Sequence, residues 1–172
     1  MYQDINYQKA IALLNQTIQQ MKSELSEVDS MPLKGEKKQM AQSMHQILEK
    51  IEKKTEEYEK SQTSGDFNSV CGALEALKPS FILNYNEICY DSGLDILENT
   101  LIEMEEELSQ VDQMELSEDQ EEKVYSMHQI YDQVSAGVEK FAASHEHEDF
   151  LNVIEQLEQL QPEFVLNYNL LL

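Results

Sequence analysis

Two histidines in identical surroundings are the residues best suited to carry chemistry. His45 lies in residues 43–47 and His128 in residues 126–130, and both runs spell SMHQI. An imidazole can accept a phosphoryl group, bind a metal or exchange a proton near neutral pH. A His-dependent phosphotransfer or metal-binding helical bundle is therefore one hypothesis. No Glu-x-x-His pair of the di-iron type is present. A histidine that is partly buried and hydrogen-bonded across helices is the favoured interpretation.

A second pair of histidines, His145 and His147, stands among three acids in residues 145–149. Imidazole suits zinc or nickel, which makes these two the candidate metal ligands of the chain. Their spacing matches no structural zinc pattern, and the corresponding residues 62–65 of the first half contain no histidine. An exposed acidic loop without metal is the favoured interpretation, and no cofactor is expected.

Acidic residues are concentrated in the second half of the chain. The formal net charge is −22, and residues 87–172 carry about twenty-two acids against about two lysines, whereas residues 1–86 are near neutral. Such a surface favours a cationic partner, and the alternative is that the acids only keep the protein in solution. The candidate partner-binding acids form two runs, and two tyrosines of a repeated Tyr-Asn phrase could add adaptable contact area. These candidates are Glu103, Glu106, Glu107, Glu118, Asp119, Glu122, Tyr85 and Tyr168. The favoured interpretation of the Tyr-Asn phrase is that Tyr85 packs at the end of the bundle and that the asparagines satisfy helix-end groups.

Several functional classes are disfavoured by composition. The chain has no arginine, so the base-reading and phosphate-clamping side chain typical of nucleic-acid binding is missing. No serine or cysteine stands in a nucleophile motif, and no glycine-rich phosphate loop is present. Neither a signal peptide nor an apolar stretch of membrane-spanning length is visible. We expect a cytoplasmic protein that is not an enzyme and binds neither nucleic acid nor membrane.

The elements that position these residues follow from an internal repeat. Residues 81–86 (FILNYN) return as residues 164–169 (FVLNYN), and the SMHQI runs are separated by the same offset of about 83 residues. Residues separated by this offset are called equivalent below. Apolar residues recur at alternating spacings of three and four in three segments of each half, which is typical of packed helices. The prediction is an all-α tandem duplication with six main helices, forming three-helix units over residues 1–86 and 87–172.

The arrangement of the two units is open at this level. Pro79 and Pro162 stand near the ends of the third stripes, and we expect a bend there, with helix restarting at about Ser80 or Glu163. One alternative runs the third helix of the first unit on into the second unit, giving bundles in tandem. The other folds both units into a shared core. Three stripes per unit suffice to close a bundle, which favours the tandem.

These features together predict a non-enzymatic protein-binding module, an adaptor or small acidic chaperone that engages a basic or amphipathic helical partner. In size, acidity and helical content the chain resembles secretion and flagellar export chaperones. The alternative from another class is a DNA-mimicking acidic inhibitor of a nucleic-acid-binding protein, in which rows of carboxylates imitate phosphates.

Overall fold

The alternating apolar stripes form helices, as their spacing predicts. The computed structural model describes the backbone of residues 2–172 and the side chains of residues 6–172. Within that part of the chain every regular element is an α-helix. The helices are α1 (Tyr2–Asp29), α2 (Glu36–Ser61), α3 (Ser64–Asp112), α4 (Glu118–Ser144) and α5 (His147–Leu171).

The described residues form five helices rather than the six that the repeat predicts. The difference lies in α3, whose 49 residues include both the third stripe of the first half and the first stripe of the second. The predicted restart after each proline is also wrong, because Pro79 lies inside α3 and Pro162 inside α5. A proline removes one backbone hydrogen bond, but packing of the apolar face on both sides can carry a helix through it.

The chain divides into two compact units, Met1–Ile88 (unit 1) and Cys89–Leu172 (unit 2). The long helix α3 contributes residues to both, because the division falls within it. Unit 1 therefore contains α1, α2 and the first part of α3, and unit 2 contains the rest of α3 with α4 and α5.

Each unit buries the stripes that the spacing predicts. In unit 2 the core side chains of α3, α4 and α5 form one cluster, which includes Leu97, Met104, Val111, Met127, Val134, Phe141, Val153, Leu157 and Phe164. In unit 1 the fully buried side chains include Met21, Val28, Met44, Ile51 and Phe81. Burying such side chains supplies the main driving force for folding of small helical units.

The helix ends are fixed by local hydrogen bonds. At the start of α4, the Ser117 backbone N–H donates to Gln120 Oε1 at 3.0 Å, as in a capping box. Gln62 and His145 follow α2 and α4 in the left-handed conformation, with φ of 53° and 59°. Their N–H groups donate to the backbone oxygens of Tyr58 and Phe141 at 2.7 and 2.9 Å.

Replacing Gly137 by alanine is expected to destabilise unit 2 by about 1–3 kcal/mol, because α4 and α5 approach closely there. A β-carbon on Gly137 would stand 2.9 Å from both Val153 Cγ2 and Gln156 Oε1. Urea denaturation followed by circular dichroism measures the change in the free energy of unfolding.

Gly72 provides the control, because a β-carbon there meets nothing within 4 Å. Gly72→Ala should stabilise the protein by about 0.5–1 kcal/mol through helix propensity alone. Equal stabilisation by both substitutions would contradict the close approach of α4 and α5.

Candidate functional site

The first turns of α4 carry an open acidic groove. Glu118, Glu121, Glu122 and Tyr125 line this groove, which has a volume of about 650 Å³. The last three residues follow Glu118 by three, four and seven positions, which places all four along one side of the helix. The Tyr125 ring is 66% exposed, which is unusual for so large a side chain. We call these four residues the acidic groove.

The carboxylates of the acidic groove are stabilised by the N-terminus of α4, but no cation pairs with them among residues 6–172. Negative side chains in the first turn of a helix interact favourably with the free N–H groups there. Within residues 6–172, however, no ion pair within 4.0 Å involves Glu118, Glu121 or Glu122. The charge of the groove is therefore available to an external cation.

The equivalent positions of unit 1 carry no acidic side chain. The residues equivalent to the three glutamates are Gly35, Lys38 and Gln39, and Gln42 is equivalent to Tyr125. The same helical positions therefore carry neutral or basic side chains in unit 1. The acidic groove is a feature of unit 2.

The second predicted run of acids lies on α3. Glu103 and Glu106 are exposed, and Glu107 is half-buried. Burial raises the pKa of the Glu107 carboxyl above its usual value, and the neighbouring charge of Glu103 raises it further. This crowding of like charges follows from the i, i+4 spacing, and an approaching cation would relieve it.

One acid of this run serves the fold. The hydroxyl of Tyr131 on α4 donates a hydrogen bond to Glu105 on α3. Burial, together with this bond and the Glu105 charge, raises the pKa of Tyr131 to about 12. Glu105 therefore joins α3 to α4. Asp119, another of the candidate acids, is exposed and lies in the charged first turn of α4.

The repeat-matched histidines make equivalent bonds. His45 Nε2 on α2 lies 2.8 Å from Asp29 Oδ1 at the end of α1, and His128 Nε2 on α4 lies 2.9 Å from Asp112 Oδ1 at the end of α3. The two imidazoles are 47% and 44% exposed. Each pair ties the C-terminal end of one helix to the helix that follows it. The sequence interpretation of a hydrogen bond across helices agrees with this geometry, although the rings are more exposed than expected.

The two candidate contact tyrosines pack within their units, as the favoured interpretation of Tyr85 expects. Tyr85 is buried, and its hydroxyl donates to Glu27 Oε2 at 2.7 Å. Tyr168 is half-buried, and its hydroxyl donates to Gln110 Oε1 at 2.6 Å. Both tyrosines therefore brace their own unit, and Tyr85 offers almost no surface to a partner. Tyr125, which the sequence analysis did not single out, is the exposed tyrosine beside the acids.

The candidate metal ligands lie against aromatic rings. His145 stacks on Tyr90 with ring centroids 3.6 Å apart and an interplanar angle of 7°. His147 lies 5.4 Å from the Phe150 ring. Among residues 6–172, no three His, Cys, Asp or Glu side chains are grouped so that they could hold a metal ion.

Asp149 follows these histidines and forms polar contacts with two side chains of α4. Its Oδ2 accepts a hydrogen bond from the Ser144 hydroxyl at 2.6 Å, and its Oδ1 lies 3.2 Å from Lys140 Nζ. The Ser144 bond, and then Lys140, hold the pKa of Asp149 below its ordinary value, although burial opposes them. This contact joins the end of α4 to the start of α5.

Asp149→Asn is expected to lower stability at neutral pH, with the difference from wild type shrinking in acid. A carboxyl whose folded pKa is lowered stabilises the fold above its unfolded pKa, and this contribution disappears as pH falls through the folded pKa. The pH range over which this contribution is lost therefore begins near 3.8, the ordinary pKa of an aspartate, and extends below it. Urea denaturation between about pH 7 and pH 2 measures it. Ser144→Ala should show the same trend more weakly, and an unchanged difference throughout this range would contradict the assignment.

Comparison with models of protein families, with curated proteins and with solved structures finds no match to this chain. No helix among the described residues combines the length and apolar character needed to cross a membrane. The site must therefore be interpreted from its own residues.

Proposed function

We propose that this chain is a non-enzymatic protein-binding module, an adaptor or small acidic chaperone, whose acidic groove engages the lysines of a basic amphipathic helix. The observation that carries the proposal is the groove itself. It combines three carboxylates that pair with no cation among residues 6–172 with the exposed ring of Tyr125, along one side of α4.

The chemistry of the groove suits a lysine-bearing partner. The carboxylates attract the ammonium group over a distance of about a Debye length, and the attraction falls as salt is added. The Tyr125 ring can contact the methylene stem of the lysine or its ammonium group. An amphipathic helix presents such side chains at spacings of three and four, which match the spacing within the groove.

Neither lysine of unit 2 forms an ion pair with a groove carboxylate in the part of the chain that the structure describes. Lys140 pairs with the buried Asp149. Lys123 Nζ lies 3.5 Å from the backbone oxygen of Asp119. The carboxylates of the groove therefore keep their charge for a partner.

A direct binding measurement tests the proposal. The full chain is titrated into a fluorescent synthetic helix with lysines along one face and leucines along the other, at about 0.02 M and about 0.5 M salt. We expect micromolar affinity at low salt, and a large loss at high salt. A control peptide with glutamate in place of every lysine should not bind. Absence of binding to the lysine peptide at low salt would overturn the proposal.

A further inference from the structure

Unit 1 contains an open cavity lined by aromatic rings. The side chains of Tyr7, Tyr58 and Phe67 line it, and its volume is about 420 Å³. The rings form a chain of contacts, with centroids 5.4 Å apart for Tyr7 and Tyr58 and 5.3 Å apart for Tyr58 and Phe67. Gln62 and Thr63 add polar groups to the lining. The cavity is separate in residues and chemistry from the acidic groove.

The equivalent place in unit 2 also has three aromatic rings, with Phe141 in place of Tyr58, and it has a fourth ring. Tyr90, Phe141 and Phe150 are equivalent to the three aromatic residues of the cavity, and their centroids are 5.3 and 5.6 Å apart. The additional ring is the imidazole of His145, which lies 3.6 Å from Tyr90 and nearly parallel to it. In unit 2 the protein thus stacks a flat nitrogen heterocycle on this tyrosine.

A single side-chain difference accounts for the missing ring in unit 1. Gln62 is equivalent to His145, and both residues end their helices in the left-handed conformation. Both donate their backbone N–H to the residue four positions earlier. Because the backbones match, the side chains leave the chain at the same place, but glutamine has no ring to stack on Tyr7.

The two units also differ at a neighbouring helical position, which is Gly93 in unit 2 and Ala10 in unit 1. Gly93 lets the Phe150 and Phe141 rings lie within 3.1 and 3.4 Å of the place where its β-carbon would stand. Unit 1 has Ala10 at the equivalent position, and Ala10 lines the cavity. Unit 2 therefore fills this region with its own rings, whereas unit 1 leaves it open.

We propose that the cavity of unit 1 binds a planar nitrogen heterocycle of the imidazole type, which stacks on Tyr7 as His145 stacks on Tyr90. Aromatic stacking is favourable when rings lie parallel and offset at short distance. The amide of Gln62 can exchange hydrogen bonds with the ring nitrogens, whereas the Thr63 hydroxyl is already bonded to the Ser61 hydroxyl and the Asp66 N–H. The ring can come from a free imidazole compound or from a histidine side chain of a peptide.

Exchange of the two side chains tests this proposal in the full chain. Imidazole and N-acetylhistidine methylamide serve as probes, and cyclopentanol serves as the non-aromatic control. Binding is followed by NMR shifts of the aromatic carbons at about pH 8, where most imidazole is neutral and does not collect on the acidic surface. We expect saturable shifts of Tyr7, Tyr58 and Phe67 with at least one imidazole probe, and none with cyclopentanol. Preference for the blocked histidine would assign the ring to a peptide, and preference for imidazole would assign it to a small molecule.

The variants Gln62→His and His145→Gln give opposite expectations. Gln62→His supplies a tethered ring that competes for the cavity, and should weaken binding about tenfold or more. His145→Gln should create a second set of saturable shifts at Tyr90, Phe141 and Phe150. Each replacement exchanges residues that already adopt the required backbone conformation, so the fold is retained. The proposal is overturned if neither imidazole probe gives saturable shifts, or if Gln62→His binds as tightly as wild type.

Discussion

Replacing Phe164 by alanine is expected to lower the free energy of unfolding of unit 2 by about 3–5 kcal/mol. The Phe164 ring is 0% exposed and packs in the cluster formed by α3, α4 and α5. Truncation removes its burial and leaves a cavity that the surrounding side chains fill only in part. Small domains have stabilities of about 5–15 kcal/mol, so the loss is a large share of the total. Urea denaturation measures it, and hydrogen exchange locates it.

The neighbouring Val165 supplies a matched control, because it is 40% exposed on the same helix. Val165→Ala should change stability by less than about 0.5 kcal/mol. Phe81→Ala tests the equivalent ring of unit 1, which is also 0% exposed. Accelerated exchange should then appear in residues of unit 1. A Phe164→Ala variant as stable as wild type would contradict the packing of unit 2.

Neutralising the acidic groove with Glu118→Gln, Glu121→Gln and Glu122→Gln together is expected to weaken binding of the lysine peptide by about threefold to a hundredfold. Each partly exposed charge pair contributes about 0.2–1 kcal/mol, and each 1.4 kcal/mol corresponds to a factor of ten. The salt dependence should decrease as well, since fewer charges meet at the interface. Fluorescence anisotropy over a salt series measures both effects.

A second triple variant separates the groove from the total charge. Glu139, Glu155 and Glu158 are exposed acids of unit 2 outside the groove, and their replacement by glutamine removes the same charge. We expect this variant to bind nearly as well as wild type. Equal weakening by both triple variants would show that net charge, rather than the groove, governs binding.

The core of the fold was predictable because its signal is periodic. The stripe over residues 7–28 predicts a buried helix face, and Leu14, Ile18, Met21, Leu25 and Val28 are indeed buried. The number of helices was not predictable in the same way. Neither Ser92-Gly93 nor Pro79 interrupts α3. A local breaking tendency of this kind can be overcome by tertiary packing, which sequence spacing does not measure.

The sequence indicated the negative charge of the acidic groove, but not which side chains line it. The acids of α4 stood out in the sequence, whereas Tyr125 did not, because Gln42 occupies the equivalent position and no repeated phrase includes it. The Asp partners of His45 and His128 could have been found. Asp29 and Asp112 end the similar runs at residues 25–29 and 108–112, and therefore recur with the same offset as the histidines. The stacking of His145 on Tyr90 had no such signal.

The hydrogen bonds of the Tyr85 and Tyr168 hydroxyls also bear on the order in which the two units fold. Each joins residues 58 positions apart, within a single unit. Both bonds span most of their own unit, but neither needs a residue of the other unit. During synthesis, both partners of the Tyr85 bond have been made by the time Ile88 is added. Unit 1 can therefore begin to fold on the ribosome while the acidic residues of unit 2 are still being joined to the chain.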